Sequence, residues 1–311
     1  MQLLIDSGYQ NLAVPSATMA DIFDPNFGLS YGQGNSNPFY GKFASDPGTS
    51  TIMQDALNLA PTFSLIWVGM EDIFGYASAG GYNKTAPSVA QFSADLDAIL
   101  SPLTSAGGKG AIANIPSLDD FPFYTLVPPR GLELTLSKAD SLNNLTGGLF
   151  DFEQGSNGFI IVDADAPFGF DQMGDGEYIL LNVNLDSMRC NFLGVFTPIL
   201  DRFVIDSTEA ALIRELIKNF NDVIYNKSVE YGLALVDMNS YFSSLTTGVQ
   251  WNGVDFSTEF VSGGFLSLDG YHPNQKGYGL ITNEFIKATN KKYSATIPTT
   301  ICSGCVGITF P

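Results

Sequence analysis

Asp269 and His272 lie three residues apart in Ser267-Leu268-Asp269-Gly270-Tyr271-His272-Pro273, and His272 is the only histidine in the 311 residues. A carboxylate at that spacing can fix the imidazole tautomer and stabilise the imidazolium, which is the general-base half of a serine-type triad. A lone histidine can equally be a surface or core residue with no chemistry; here the flanking residues favour the base. No cysteine–histidine cluster accompanies it, and one histidine without a carboxylate–histidine constellation does not make a hydrolytic metal site.

The run Asp269-Gly270-Tyr271-His272-Pro273-Asn274-Gln275-Lys276-Gly277-Tyr278 resembles the D-x-x-H-P block of the SGNH (GDSL-like) hydrolases. Two further stretches fall in the order that family shows. Asn11-Leu12-Ala13-Val14-Pro15-Ser16-Ala17 resembles its second block, N-L-[AG]-V-P-G-A. Leu65-Ile66-Trp67-Val68-Gly69-Met70-Glu71-Asp72 resembles its third, which ends G-x-N-D. From Asn11 to about Lys292 the chain is similar to secreted or lipid-anchored members from Bacteroidetes-type bacteria. The resemblance implies a three-layer α/β/α sandwich around a parallel sheet (SGNH/flavodoxin-like). It also implies serine ester hydrolysis with His272 as base and Asp269 as its orienting acid. The Ser16 backbone N–H and the residue at position 71 would face the oxyanion.

The chain departs from that pattern in three places. The first block, G-[DN]-S-L, carries the nucleophilic serine and has no counterpart, so the expectation is an N-terminally truncated chain, or else a degenerate member with a rebuilt sheet. Ser7, in Asp6-Ser7-Gly8, imitates G-D-S but stands directly before the second block, and both Ser7 and Ser16 read better as turn residues. Ser16 replaces glycine; a backbone donor survives that change unless the position needs positive φ. Glu71 replaces the asparagine whose amide would donate to the oxyanion. A carboxylate cannot donate and repels developing negative charge, and loss of one such donor typically costs ~10²–10³ in rate. If Glu71 sits in that hole, activity should rise as pH falls until His272 protonates, and Glu71→Asn should raise it at neutral pH. If Glu71 instead faces away, it pairs with a cation elsewhere.

The elements that would position these residues follow from pattern. Residues 17–50, rich in Gly, Asn, Pro and aromatics, read as a long loop on the active-site side. Ser50 to Leu59 reads as a helix. Phe63 to Val68 is a short apolar strand of the kind found in sheets covered on both faces. Gly75 to Pro87 reads as loop. Ser88 to Leu103 carries Val89, Phe92, Leu96, Ile99 and Leu100 on one helical face, and Ala111 to Ile115 is the next strand. Strand–helix–strand alternation implies parallel strands with right-handed crossovers. Residues 118–200 break that rhythm with two β-like runs, Gly158 to Val162 and Tyr178 to Val183, and read as an insertion subdomain over the active-site face of one domain spanning 1–311. Asp206 to Tyr225 is an amphipathic helix opened by an Asp206-x-x-Glu209 capping pattern. Leu233 to Asp237 is the last core strand, 239–267 a loop that delivers Asp269 and His272, and Leu280 to Ile286 lies in a closing helix.

Composition bounds the partners. A net charge of −18 at 45% hydrophobic content argues for a globular chain and against nucleic acid or anionic membrane surfaces. No run approaches the ~20 apolar residues of a membrane span. Cys302 and Cys305 form a terminal C-x-x-C that lacks further zinc ligands, and Cys190 reads as buried. No dinucleotide or phosphate loop is present, so neither a cofactor nor a metal is expected. The resemblance implies a small-molecule ester, lipid or acylated glycan as substrate, and an extracytoplasmic location, secreted or at the outer membrane through a segment ahead of Met1. Two functions therefore stand: a serine ester hydrolase of the GDSL-like lipase/acylhydrolase kind whose nucleophile the chain does not show, or a catalytically inactive binding or envelope protein on the same scaffold.

Overall fold

The structure, a computed structural model, describes residues 10–29 and 32–301. Ser7, Cys302 and Cys305 lie outside the described residues. Helix α1 (Ile52–Asn58) starts at a capping box in which Thr51 and Gln54 satisfy each other's backbone N–H groups. Strand β1 (Phe63–Ile66) runs to Gly69, which caps α2 (Met70–Ala77). Then come α3 (Val89–Thr104), capped by Ser88, and β2 (Lys109–Ala113). Residues 118–205 hold α4 (Pro122–Thr125), β3 (Leu132–Leu134), α5 (Leu136–Thr146), β4 (Gly155–Asn157), β5 (Ile160–Val162), β6 (Phe170–Gln172), β7 (Tyr178–Ile179), α6 (Leu185–Cys190) and β8 (Val204–Ile205). The chain closes with α7 (Ser207–Glu230), β9 (Ala234–Val236), α8 (Met238–Thr247), the hairpin β10 (Val249–Trp251) and β11 (Val254–Phe256), and α9 (Gln275–Tyr293).

The fold is mixed α/β. Its main sheet has the order β1-β2-β9, with both pairs parallel, and the helices α2, α3 and α7 fall in the crossovers. β2 is central and wholly buried from Gly110 onward. α7 packs on β2, β9, α2 and α3, while α9 packs on β9 and β2. Phe92 of α3 stacks flat on Phe220 of α7 at 4.0 Å, joining the helices beside the sheet. Among the described residues, four further pairs of strands, all antiparallel, lie outside this sheet.

β1 departs from the expectation of cover on both faces: Leu65 is 63% and Phe63 39% exposed. β1 is the edge of the sheet among the described residues, and on the side of these two residues its neighbour is Tyr293, whose ring meets Phe63 edge-on at 5.8 Å. Residues 75–87 begin inside α2 rather than as loop, and 239–267 contain α8 and a hairpin. Cys190 is exposed, because its short helix α6 buries none of its residues. The described residues of 17–50 hold three short 3₁₀ helices around Phe27, Tyr40 and Ile52, tied down where the Tyr40 hydroxyl donates to buried Asp55 at 2.9 Å. Between Val127 and Val204 two small apolar clusters, around Ile161 and Ile160, stand apart from the main one, although Phe121, Tyr124 and Tyr178 belong to the main core. No helix among the described residues is long and apolar enough to cross a membrane.

Candidate functional site

His272 owes its position to three local devices. Asn274 caps α9 by accepting from the N–H groups of Lys276 and Gly277, while its own amide donates to the carbonyls of Gly264 and Leu266. The chain therefore enters the helix at a fixed angle. Gly270 turns with φ +71°, where a Cβ would press on Phe123 N and Leu181 Cδ2 at 3.0 and 3.1 Å. The Gly270 carbonyl accepts from Phe123 N–H at 3.0 Å, which locks the loop to α4.

Asp269 is the hub of the turn. Its Oδ1 accepts from Ser267 Oγ (2.6 Å) and from the N–H groups of Tyr271 and His272 (both 3.0 Å). Its Oδ2 accepts from His272 Nδ1 at 2.7 Å. Burial works to raise its pKa, but these hydrogen bonds outweigh it and hold the carboxyl below the usual carboxylate value. With Nδ1–H committed to Asp269, the neutral imidazole presents a bare Nε2 to the site, as a general base requires.

Glu71 faces that nitrogen. β1 ends, Gly69 adopts φ +88°, and α2 starts with Glu71 in its first turn. Gly69 cannot be replaced freely, since a Cβ would lie 2.5 Å from Phe92. Glu71 Oε1 stands 3.7 Å from His272 Nε2, an ion pair rather than a hydrogen bond, with the two side chains 24% and 40% exposed. Glu71 is thus paired with the imidazole and not with a remote cation. The Glu71 carboxylate is the chief reason that the His272 pKa rises to about 9; burial opposes the rise and Asp269 adds to it. The imidazole thus favours its charged form, and Glu71 stands against the nitrogen that would have to be neutral for His272 to act as a base.

Ser16 stands on the neighbouring loop. Three residues further on, Met19 N–H donates to the Asp72 carboxylate at 3.1 and 3.3 Å, tying this loop to the first turn of α2 beside Glu71. Burial lifts the Asp72 pKa to about 6 against those hydrogen bonds. Ser16 has φ +63°, the conformation in which glycine would be at ease. No hydrogen bond or ion pair joins Ser16 to Glu71, Asp269 or His272 among the described residues, and no serine, threonine or cysteine side chain there bonds the His272 ring. Ser267, the nearest in sequence, is committed to Asp269. No group of ligands suited to a metal ion is found among the described residues.

An aromatic floor lies under the dyad. Phe74, one turn after Glu71, stacks on Tyr271 at 3.8 Å and meets the His272 ring edge-on at 6.2 Å. Phe121, Phe123 and Tyr124 continue the floor. Sequence reading missed Phe74, Tyr124, Ser267 and Asn274. Only the last two carried a local signal, as a hydroxyl two residues before the acid and an Asn directly before a helix. No protein-family model matches the chain, and neither a curated protein nor a solved structure matches it.

Proposed function

We propose that this chain is built as a serine ester hydrolase of the SGNH type, cleaving an acyl ester of a small molecule, a lipid or an acylated glycan. The observation that carries this reading is the 2.7 Å bond from His272 Nδ1 to a carboxylate that is itself held by three further donors. Such a carboxylate has little freedom to do anything but orient the ring. The same proposal takes α9 and the pair α3–α7 as the outer layers of a three-layer α/β/α sandwich, and 118–200 as a subdomain over the site.

In this reading the nucleophile is a serine outside the described residues. Its Oγ attacks the acyl carbonyl and its proton passes to His272 Nε2. The tetrahedral intermediate collapses, the alcohol leaves with the proton from Nε2, and water repeats the sequence on the acyl-enzyme. The Ser16 backbone N–H is the proposed oxyanion donor. Extracytoplasmic placement belongs to the same proposal and rests on the resemblance alone.

A second reading has its own support. Glu71 occupies the face of Nε2 that must receive a proton, which suits an inactive scaffold that binds rather than cleaves. Short p-nitrophenyl esters, a fluorophosphonate probe and the full gene product separate the two. The hydrolase should turn over, label on a serine, and lose ~10⁴-fold or more of its rate on His272→Ala. Its kcat/KM should climb with pH to a bend near 9, the value Glu71 imposes on His272. Glu71→Gln should move that bend toward ~7, closer to an ordinary imidazole. Absence of turnover and of any adduct, or turnover indifferent to His272→Ala, hands the scaffold to the binding reading.

A further inference from the structure

The Tyr124 hydroxyl is fully buried and has no hydrogen-bond partner among the described residues. A buried hydroxyl in that condition forfeits its hydration without recompense, so it marks a place where another arrangement is available. The neighbouring tyrosine is satisfied: Tyr178 donates to Asp119 at 2.7 Å and accepts from Arg214 at 2.7 Å. Tyr124 packs edge-on against Phe74 at 6.5 Å, and Phe74 stands one helical turn from Glu71 on α2. Glu71 thus has one ion-pair partner, His272 Nε2, while its charge also reaches the Tyr124 hydroxyl, which holds no hydrogen bond among the described residues. Tyr124 meets Tyr178 edge-on at 6.1 Å and lies in the fields of Glu71 and Tyr271; around His272 are Asp269, Glu71 and Tyr271, with Tyr278 of α9 in the field of both carboxylates.

We infer that Tyr124 is a positioning residue: its hydroxyl is the second station of the Glu71 carboxylate, which it receives when Glu71 leaves His272 so that Nε2 is free to take a proton. Burial and the charge of Glu71 both raise the Tyr124 pKa, so the hydroxyl keeps its proton and remains a donor throughout the working range. The two stations have opposite preferences. A charged imidazole draws Glu71 to itself; a neutral imidazole offers it nothing, and the buried donor then wins. The carboxylate and the proton on His272 thereby come and go together, and a neutral base is stabilised without removing the carboxylate from the site. The inference rests on the base role proposed for His272, but the station itself can be tested without turnover.

Because His272 is the only histidine, its imidazole carbon–proton signals in an NMR pH titration need no assignment. The titration is run on the protein, on Tyr124→Phe, on Glu71→Gln and on the double variant. Tyr124→Phe removes one oxygen that holds no hydrogen bond and keeps the ring that packs on Phe74. If Tyr124 holds Glu71 half the time when the imidazole is neutral, its removal should strengthen proton binding to His272 about twofold, a rise of ~0.3 pH unit or more. In the Glu71→Gln background the same change should have no effect. An unaltered titration on Tyr124→Phe overturns the inference and leaves the hydroxyl as a water-bridged or strained structural group. An equal shift in both backgrounds overturns it too, since Tyr124 would then act on His272 without Glu71. Ester turnover of the same four proteins reports separately on the hydrolase reading: its absence in all of them fails that reading while the titration still decides the station.

Discussion

Ser16 and Glu71 show how much a single side chain decides locally. Ser16 holds φ +63°, which costs a residue with a Cβ roughly 1–2 kcal/mol, partly offset against glycine by the extra freedom glycine has when unfolded. Ser16→Gly should therefore stabilise the protein by up to about 1 kcal/mol, read as a higher urea midpoint with an unchanged slope. A fall in the midpoint would mean that the Ser16 side chain makes a compensating contact. The Asp269–His272 pair was legible in the sequence because it is local: three residues, one turn, one carboxylate. The Glu71–His272 pair was not, because its partners are far apart in the chain and meet only after β1 and α9 have docked on the same core. The resemblance put Glu71 beside an oxyanion, and nothing local in the sequence pointed to its contact with His272.

At the scale of elements, the parts with strong pattern were readable and the parts held by tertiary contacts were not. β1, β2 and β9 are short apolar runs between turn residues, and α3 and α7 carry their caps and their apolar faces in the sequence. α8 lies in the stretch expected as loop, and Asn239, Ser240, Ser243, Ser244, Thr246 and Thr247 are poor helix formers. Its signal was present all the same: Met238, Phe242 and Leu245 are buried at helical spacing, behind Asp237 as N-cap. The hairpin after it turns on Asn252-Gly253, both at positive φ, the pair that favours a two-residue turn. What joins such elements is a few side-chain hydrogen bonds to strand ends. Asn221 of α7 accepts from Ile115 N–H at 2.7 Å and donates to its carbonyl at 2.8 Å. Asn239 also donates to that carbonyl, so Asn221→Ala orphans the buried N–H alone. The variant should lose about 2 kcal/mol in urea unfolding; a loss below about 0.5 kcal/mol would show that solvent reaches Ile115.

For the whole molecule the excess of acidic groups sets the response to pH. Burial raises Asp72 and Asp120 to about 6 and, with help from Asp206 and other carboxylates, Glu209 to about 8. Each of these binds its proton more tightly folded than unfolded, so stability falls as pH rises through the window between the two values. His272 acts in the same direction. Its charged pair contributes fully below the unfolded value near ~6.5 and is lost as pH rises through about 9. Asp24, Asp97, Asp237 and Asp269 have lowered values and work the other way, losing their contribution only as pH falls through the acid range. Thermal stability should therefore peak near pH ~5 rather than at neutrality. Glu209→Gln should flatten the decline between roughly pH 5 and 8, raising stability at pH 8 by on the order of 1 kcal/mol once solvent screening is allowed for, or about 2 °C. A melting curve series in which the variant tracks the parent at every pH would assign the slope to other groups.

The Gly69 turn separates what can change at this site from what cannot. Any side chain at position 69 strikes Phe92, which is itself clamped flat on Phe220, so a substitution there must be matched by a second one in the core. Position 71, two residues on, lies on a helix surface with part of its side chain in solvent. A change of one nucleotide turns a glutamate codon into one for glutamine, an amide donor of nearly the same shape. The path between an imidazole paired to a carboxylate and one freed from it is thus a single mutational step, while the turn that carries position 71 is closed to drift.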